Sequence, residues 1–148
     1  MGMDILQLLF KDGDIPMDPA TPAYFGGQPA AIGANGATLA IAEDAKYIGM
    51  MKNSSYEDQK NGNVTIVHGG KVVFINGSNE IDSVINGATV EGAPYDTTLT
   101  YGAGDYLWIQ ATTGLWKNTG TAGREKGIVI KPATGTDGNM EAYMFSVK

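Results

Sequence analysis

The sequence predicts an all-β fold, a small β-barrel or sandwich of short antiparallel strands, preceded by an extended Pro-rich N-terminal arm. Three observations lead there. Glycine occupies 21 of 148 positions, about double its average usage, and it is scattered without a collagen period, which marks many tight turns. From Ala37 onward, short β-branched and aromatic runs alternate with those turns. Only one stretch opens like a helix. The length suits one compact domain plus a tail rather than two domains, and a hydrophobic content of 43% suffices for a core.

Residues 1–36 differ from the rest. Ile5, Leu6, Leu8, Leu9 and Phe10 form an apolar head, Ile15 and Pro16 follow, and Pro16, Pro19, Pro22 and Pro29 are four of the chain's six prolines. Each proline removes a backbone donor and biases its predecessor to extended geometry, which argues against a long helix or an interior strand. Gly26-Gly27 and the glycines at 33 and 36 add flexible joints. This segment therefore reads as an extended arm outside the core.

The β domain, residues 37–148, begins with weak alternation over 38–42 and an apolar run over 46–51 interrupted by Gly49. Ser54 with Glu57 three residues on has the spacing of a capping box, and Asn61-Gly62 would end any helix within two turns. A short helix and an irregular loop both fit. Residues 63–67 and 71–75 are β-branched runs joined across His68-Gly69-Gly70, which reads as a hairpin. Asn86-Gly87 marks a turn between two short strands within 81–90. Residues 97–101 alternate, 105–110 form a strand, Thr112-Thr113-Gly114 turns, and 126–130 and 140–147 supply the closing strands. A strand, a polar loop, an Asn/Asp-Gly turn and a returning strand occur over 48–66 and again over 126–142, the pattern of a duplicated hairpin.

Charge and residue inventory narrow the function. Ten basic residues against 16 acidic give a net charge of −6, with no clustered Lys or Arg, so no nucleic-acid partner is expected. No apolar run approaches the roughly 20 residues that span a bilayer. The apolar residues 5–10 follow Asp4 without a basic flank, so neither a membrane partner nor a targeting signal is expected. The chain has no Cys and a single His, which removes a cysteine nucleophile, a thiolate metal site and a multi-histidine site. No cofactor is expected.

Each remaining chemical pattern has a plain reading. His68 is the sole imidazole and reads as an exposed turn residue, with no nucleophile elbow to serve it. Asp12, Asp14 and Asp18 fail as a calcium loop, because the sixth position from Asp12 is Met17 and the twelfth is Ala23, where Gly and Glu are required. Glu43-Asp44 and Glu57-Asp58 read as solvated loop carboxylates rather than an acid–base pair. Gly102-Ala103-Gly104 and the glycines at 33 and 36 lack the lysine of a phosphate loop and read as turns. The expectation is a protein that is not an enzyme.

Along a regular strand over 105–110, Tyr106 and Trp108 share one face while Leu107 and Ile109 share the other. Both faces are apolar, as in a strand covered on each side by core or by a neighbouring subunit. Tyr106, Trp108 and Trp116 are therefore candidate subunit-interface aromatics. Together with Tyr101 they also supply the alternative reading, a receptor- or carbohydrate-binding module of a phage fibre or a secreted lectin-like protein.

The order of elements from Tyr101 to the end carries a resemblance. Tyr101-Gly-Ala-Gly-Asp-Tyr-Leu-Trp-Ile109 opens it, and Thr112-Thr-Gly-Leu-Trp-Lys-Asn118 follows as a hairpin. A glycine-rich joint at 119–123, the strand over 126–130, a Thr-rich loop and a last alternating strand complete it. This stretch resembles the head decoration (capsid cement) proteins of tailed bacteriophages, of the lambda-like type, and the region between Ala37 and Ile75 and the Pro-rich arm are compatible with the same module. The resemblance implies a structural virion protein, made in the bacterial cytoplasm, that sits on the outside of an expanded capsid. Its implied partners are the major capsid protein and two further copies of itself in a homotrimer. The arm residues Ile5, Leu6, Leu8, Leu9, Phe10, Ile15 and Pro16 would then insert into a groove or add a strand to a shell protein's sheet edge, mobile when free and ordered on the capsid.

Overall fold

Apolar residues at every second position and glycines at the bends produce strands almost throughout. The computed structural model describes residues 3–82, 88–133 and 138–147, with backbone alone for 4–14, 78–82 and 88–91. The strands are β1 (Met3–Pro16), β2 (Pro29–Gly33), β3 (Gly36–Leu39), β4 (Tyr47–Met51), β5 (Asn63–Phe74), β6 (Gly77–Asp82), β7 (Ala88–Gly92), β8 (Tyr106–Ile109), β9 (Trp116–Lys117), β10 (Gly127–Lys131) and β11 (Met140–Met144). One short helix, α1 (Ser55–Asn61), precedes β5. Nine strands form one sheet in the order β3-β2-β4-β5-β11-β10-β8-β9, with β1 paired to β5; β6 and β7 form a separate two-stranded ribbon. The main sheet is antiparallel and curls into a half-barrel. The all-β expectation holds.

Strand β5 organises the sheet. β1 runs antiparallel along its whole length, from Met3 opposite Phe74 to Pro16 opposite Asn63. β4 pairs with its first half at Ile66 and Val67, and β11 with its second half from Gly70 to Phe74. The expected hairpin at His68-Gly69-Gly70 is thus absent, and β5 passes straight through these residues. Gly69 serves close approach: a Cβ there would meet the Met144 carbonyl oxygen and the Ser146 Cα at 3.0 Å. Gly70 holds φ +119°, a bend that only glycine adopts at little cost.

The opening segment is extended, as its prolines require, but it is part of the sheet. Pro16 is the last residue of β1 and Pro29 the first of β2, positions where a missing N–H is tolerated, and Pro19 and Pro22 lie in the intervening loop. The proline argument against an interior strand fails for this reason: β2 is paired on both sides, to β3 and to β4. Residue 36 falls inside the β2–β3 hairpin, where Gly33 pairs with Gly36. Met3 and Tyr24 are fully buried, so the segment also contributes to the core.

Elsewhere, α1 forms and ends at Gly62, whose φ of +71° and N–H bond to the Asp58 carbonyl (2.9 Å) close it. Residues 97–101 form no strand. The Asp96 carboxylate takes both the N–H and the hydroxyl of Thr98 (2.9 and 2.6 Å), an Asx turn that outcompetes the ladder. The Asn86-Gly87 turn lies outside the described residues, while β6 and β7 on either side pair as expected. The two stretches of the apparent duplication are both antiparallel neighbours, β4 with β5 and β10 with β11, and α1 fills the loop of the first. Trp116, Phe74, Met50, Met140, Leu107 and Ile109 head the larger core cluster inside the curl. A smaller one gathers around Tyr24, Leu39, Met51 and Ile66.

Candidate binding face

Alternation in β8, β10 and β11 separates two faces of the sheet. Leu107, Ile109, Val129, Ala142 and Met144 point inward and are buried. On the other face the register sets Tyr106 opposite Ile128, Ile128 opposite Tyr143, and Tyr143 opposite Lys71. Trp108 stands two residues along from Tyr106, and Phe145 follows β11. Ring centroids lie 6.3 Å apart for Tyr106–Trp108, 6.5 Å for Tyr106–Phe145 and 6.4 Å for Tyr143–Phe145, the spacing of aromatic pairs in contact. Tyr106 is 48% exposed and Ile130, on the same face, 40%. The result is a continuous aromatic row on the outside of a sheet whose core is already complete beneath it.

The row is held rigidly at both ends. Trp108 donates its indole N–H to the Thr121 carbonyl (2.8 Å), and Gly120 passes so close that any Cβ there would run into the indole. The loop is itself pinned, because Thr121 N–H donates to Glu43 Oε1 (2.7 Å) and Glu43 lies 3.7 Å from Lys117 Nζ. Hydrogen bonds from Thr121, and after them the positive charges of Lys117 and Arg124, hold the Glu43 carboxyl below its usual range. At the other end Lys71 and Glu141 form an ion pair at 3.0 Å. Phe145 is shared with a cleft of about 320 Å³ whose walls include Tyr47, Glu125, Lys126 and Val147.

Of the interface aromatics expected from sequence, Tyr106 and Trp108 lie on this face. Trp116 does not. It pairs with Ile109, an inward position, so its side chain enters the curl and is fully buried. There its Nε1 donates to the Gly27 carbonyl (2.8 Å), and it packs on Phe74 and edge-on to Tyr47. A sugar platform built from Trp108 and Trp116 together is excluded, since the two lie on opposite faces. The missed partners, Tyr143 and Phe145, had a signal: they alternate with Ala142 and Met144.

The arm residues sit as follows. Ile15 packs on the smaller core cluster and Pro16 is exposed. The backbones of Ile5, Leu6, Leu8, Leu9 and Phe10 lie in β1, and their side chains are outside the described ones, as are those of Asp12 and Asp14. Asp18 closes a turn by accepting from Ala20 N–H (2.8 Å). His68 is half-buried in the middle of β5, a correction to the exposed-turn reading, and its carbonyl accepts from Val147 N–H (3.0 Å). Among the described residues no group of three or more His, Cys, Asp or Glu side chains could hold a metal ion.

Glu57 is a surface residue, as expected, and pairs with Lys60, but Asp58 is 3% exposed, a correction to the solvated reading of both carboxylates. The Tyr24 hydroxyl donates to Asp58 Oδ2 (2.5 Å), Tyr24 N–H donates to Ser55 Oγ (3.2 Å), and Ser55 N–H donates to the Tyr24 carbonyl (3.1 Å). These bonds fasten α1 to the chain that follows β1. Helical spacing turned Asp58 inward while Glu57 faces water. Burial raises the Asp58 carboxyl, Glu57 adds to this, and bonds from Tyr24 and Asn53 oppose it.

A raised folded-state value means that the stability linked to Asp58 is full below the ordinary aspartate range and is lost as pH rises through the folded value. Glu43 is lowered, and so is Asp96, where bonds from Thr98 and Gln110 outweigh burial. Their contribution is lost only as pH falls below the ordinary carboxylate range. Urea denaturation should therefore show the wild type losing ground to D58N as pH rises above the ordinary aspartate range; a wild-type-minus-variant difference that does not change with rising pH would refute this role.

Comparison with known proteins finds no matching family model, no matching curated protein and no matching solved structure.

Proposed function

We propose that this chain is a structural virion protein of the phage head-decoration kind. In this reading it sits as a trimer on the outside of an expanded capsid and bridges neighbouring major capsid subunits, with no catalytic group and no cofactor. The observation that carries the reading is the aromatic row Trp108–Tyr106–Phe145–Tyr143, presented by a rigid sheet and left uncovered by the chain's own core. Exposed aromatics on a preorganised surface are the usual anchors of protein interfaces, since they bury large area with few rotors to freeze. Lys71, Glu141 and Lys131 flank the row with charges of both signs, a rim that selects orientation more than strength.

Exposed Tyr106 beside Trp108 also favours a second reading, a surface on which sugar rings stack. Co-sedimentation with undecorated expanded tailed-phage capsids separates the two. Wild-type protein should pellet with the capsids, and Tyr106→Ala, which removes a half-exposed side chain and leaves the fold unchanged, should weaken binding roughly tenfold or more. Undiminished capsid binding by that variant would remove the row from the interface. Tryptophan quenching by oligosaccharides, with no affinity for capsids, would establish the second reading instead.

A further inference from the structure

The pairing of β1 is the least regular among the described strand pairs. Its alignment with β5 slips four times, between Ile5 and Gln7, Leu8 and Phe10, Phe10 and Lys11, and Asp12 and Ile15. Every other strand pair described slips once or not at all. Two of the irregular steps fall opposite Gly69 and Gly70, where no side chain of β5 covers the partner strand. β1 also lies off the path that links the other eight strands of the sheet.

The chain changes character sharply at Pro16. Met17 N–H donates to the Gly62 carbonyl (2.9 Å) and Asp18 N–H to the Ala37 carbonyl (2.9 Å), and Tyr24 is locked to α1. The Pro16 carbonyl abuts Gly36, where no Cβ would fit. The chain from Met17 to Tyr24 is therefore anchored to the domain by bonds that do not involve β1. The segment able to leave as a unit is Met3–Pro16, with its pivot at a proline whose own φ is locked.

We propose that β1 is an exchangeable strand, and that in the assembled oligomer it lies along β5 of a neighbouring copy. The occupant of the vacated edge is then a second copy of the same strand. Simple detachment would expose the edge of the central strand along Asn63–Phe74 and uncover Met3, which is buried in the main core cluster. Exchange restores every one of those contacts between copies, so closed and exchanged forms differ only in the pivot and in the entropy of association. A cyclic exchange among three copies would tie a trimer together. This deepens the decoration reading, on which it rests for the trimer, by naming what joins the copies.

The test uses cysteines at Asp4 and Val73, which face each other in register, in the full chain. A second pair at Gln7 and Lys71 guards against local misfolding of the first. Oxidised when dilute, the protein should form a bridge within one chain. Oxidised when concentrated, or on capsids, it should give covalent dimers and trimers on a non-reducing gel, which neither single-cysteine parent gives beyond a dimer. The dilute, bridged form should then bind capsids at least tenfold more weakly than the same protein after reduction. Bridges confined to one chain under every condition, or capsid binding indifferent to the bridge, would overturn the exchange. Intermolecular bridges in concentrated solution without any capsid affinity would leave the exchange standing and remove the decoration reading.

Discussion

Trp116→Ala is expected to cost about 3–5 kcal/mol, a large share of the stability of an ordinary domain, about 5–15 kcal/mol. The side chain is the largest fully buried one described, at 0% exposure. Its removal empties the centre of the curl between Phe74 and Tyr47. It also strands the Gly27 carbonyl, whose bond from the indole (2.8 Å) has no substitute in alanine. The comparison that gives the number meaning is Trp108→Ala. That indole is half-exposed on the outer face and bonds only to a surface loop, so its loss should cost about 1 kcal/mol. Urea unfolding curves of the two variants settle the assignment: equal losses would mean that Trp116 is not the centre of the core.

Gly49→Ala should be nearly as damaging, at about 3 kcal/mol or more. Gly49 holds φ +137°, a region that a residue with a Cβ enters only under strain. The new methyl would press on the Val67 carbonyl oxygen and come within 2.7 Å of Ile66 Cγ2. The seam it would pry apart is short, since β4 meets β5 only at Met50–Val67 and Met51–Ile66. Gly62→Ala is the control. It also has a positive φ, +71°, but a Cβ there meets nothing within 4 Å, so only the backbone cost of about 1 kcal/mol applies. Hydrogen exchange should show Met50 and Met51 amides losing protection in Gly49→Ala and keeping it in Gly62→Ala. Matching effects of the two substitutions would show that the close approach of β4 to β5 is not what Gly49 provides.

The two glycines illustrate what can and cannot be read from a string of residues. Gly62 follows a helix-like run after Asn61, and its role as a helix terminator was legible from position alone. Gly49 looked like an interruption of an apolar run, because the Val67 carbonyl that forbids a side chain there is 18 residues away. The Gly69-Gly70 pair reads as a turn for the same reason. Local pattern cannot tell a glycine that bends the chain back from one that admits a neighbouring strand, and here Met144 and Ser146 are the neighbours.

The binding face shows the same division. Strand β8 and the sharing of a face by Tyr106 and Trp108 follow from period-two alternation, a local property. That Tyr143 and Phe145 complete the row depends on β10 lying between β8 and β11 in register. Nothing local separates the faces of Trp108 and Trp116, which are both interface candidates on sequence grounds. The β8–β9 register sets Trp116 against Ile109 and Lys117 against Trp108, which sends the two indoles to opposite sides. One residue of shift in that two-residue strand would have put Trp116 on the outer face with Trp108 and turned Lys117 inward.

What the sequence by itself determined is the class of the fold, the position of most strands and turns, and the extended geometry of the proline-rich opening. These depend on side-chain period, on glycine and on the fixed φ of proline, all of which act within a few residues. Only the tertiary structure decided that the opening segment pairs with β5, that Asp58 is buried against Tyr24, and which aromatics are core and which face outward. Each of these is set by a partner far along the chain, and the free energy of pairing and burial outweighs the local preference wherever the two disagree.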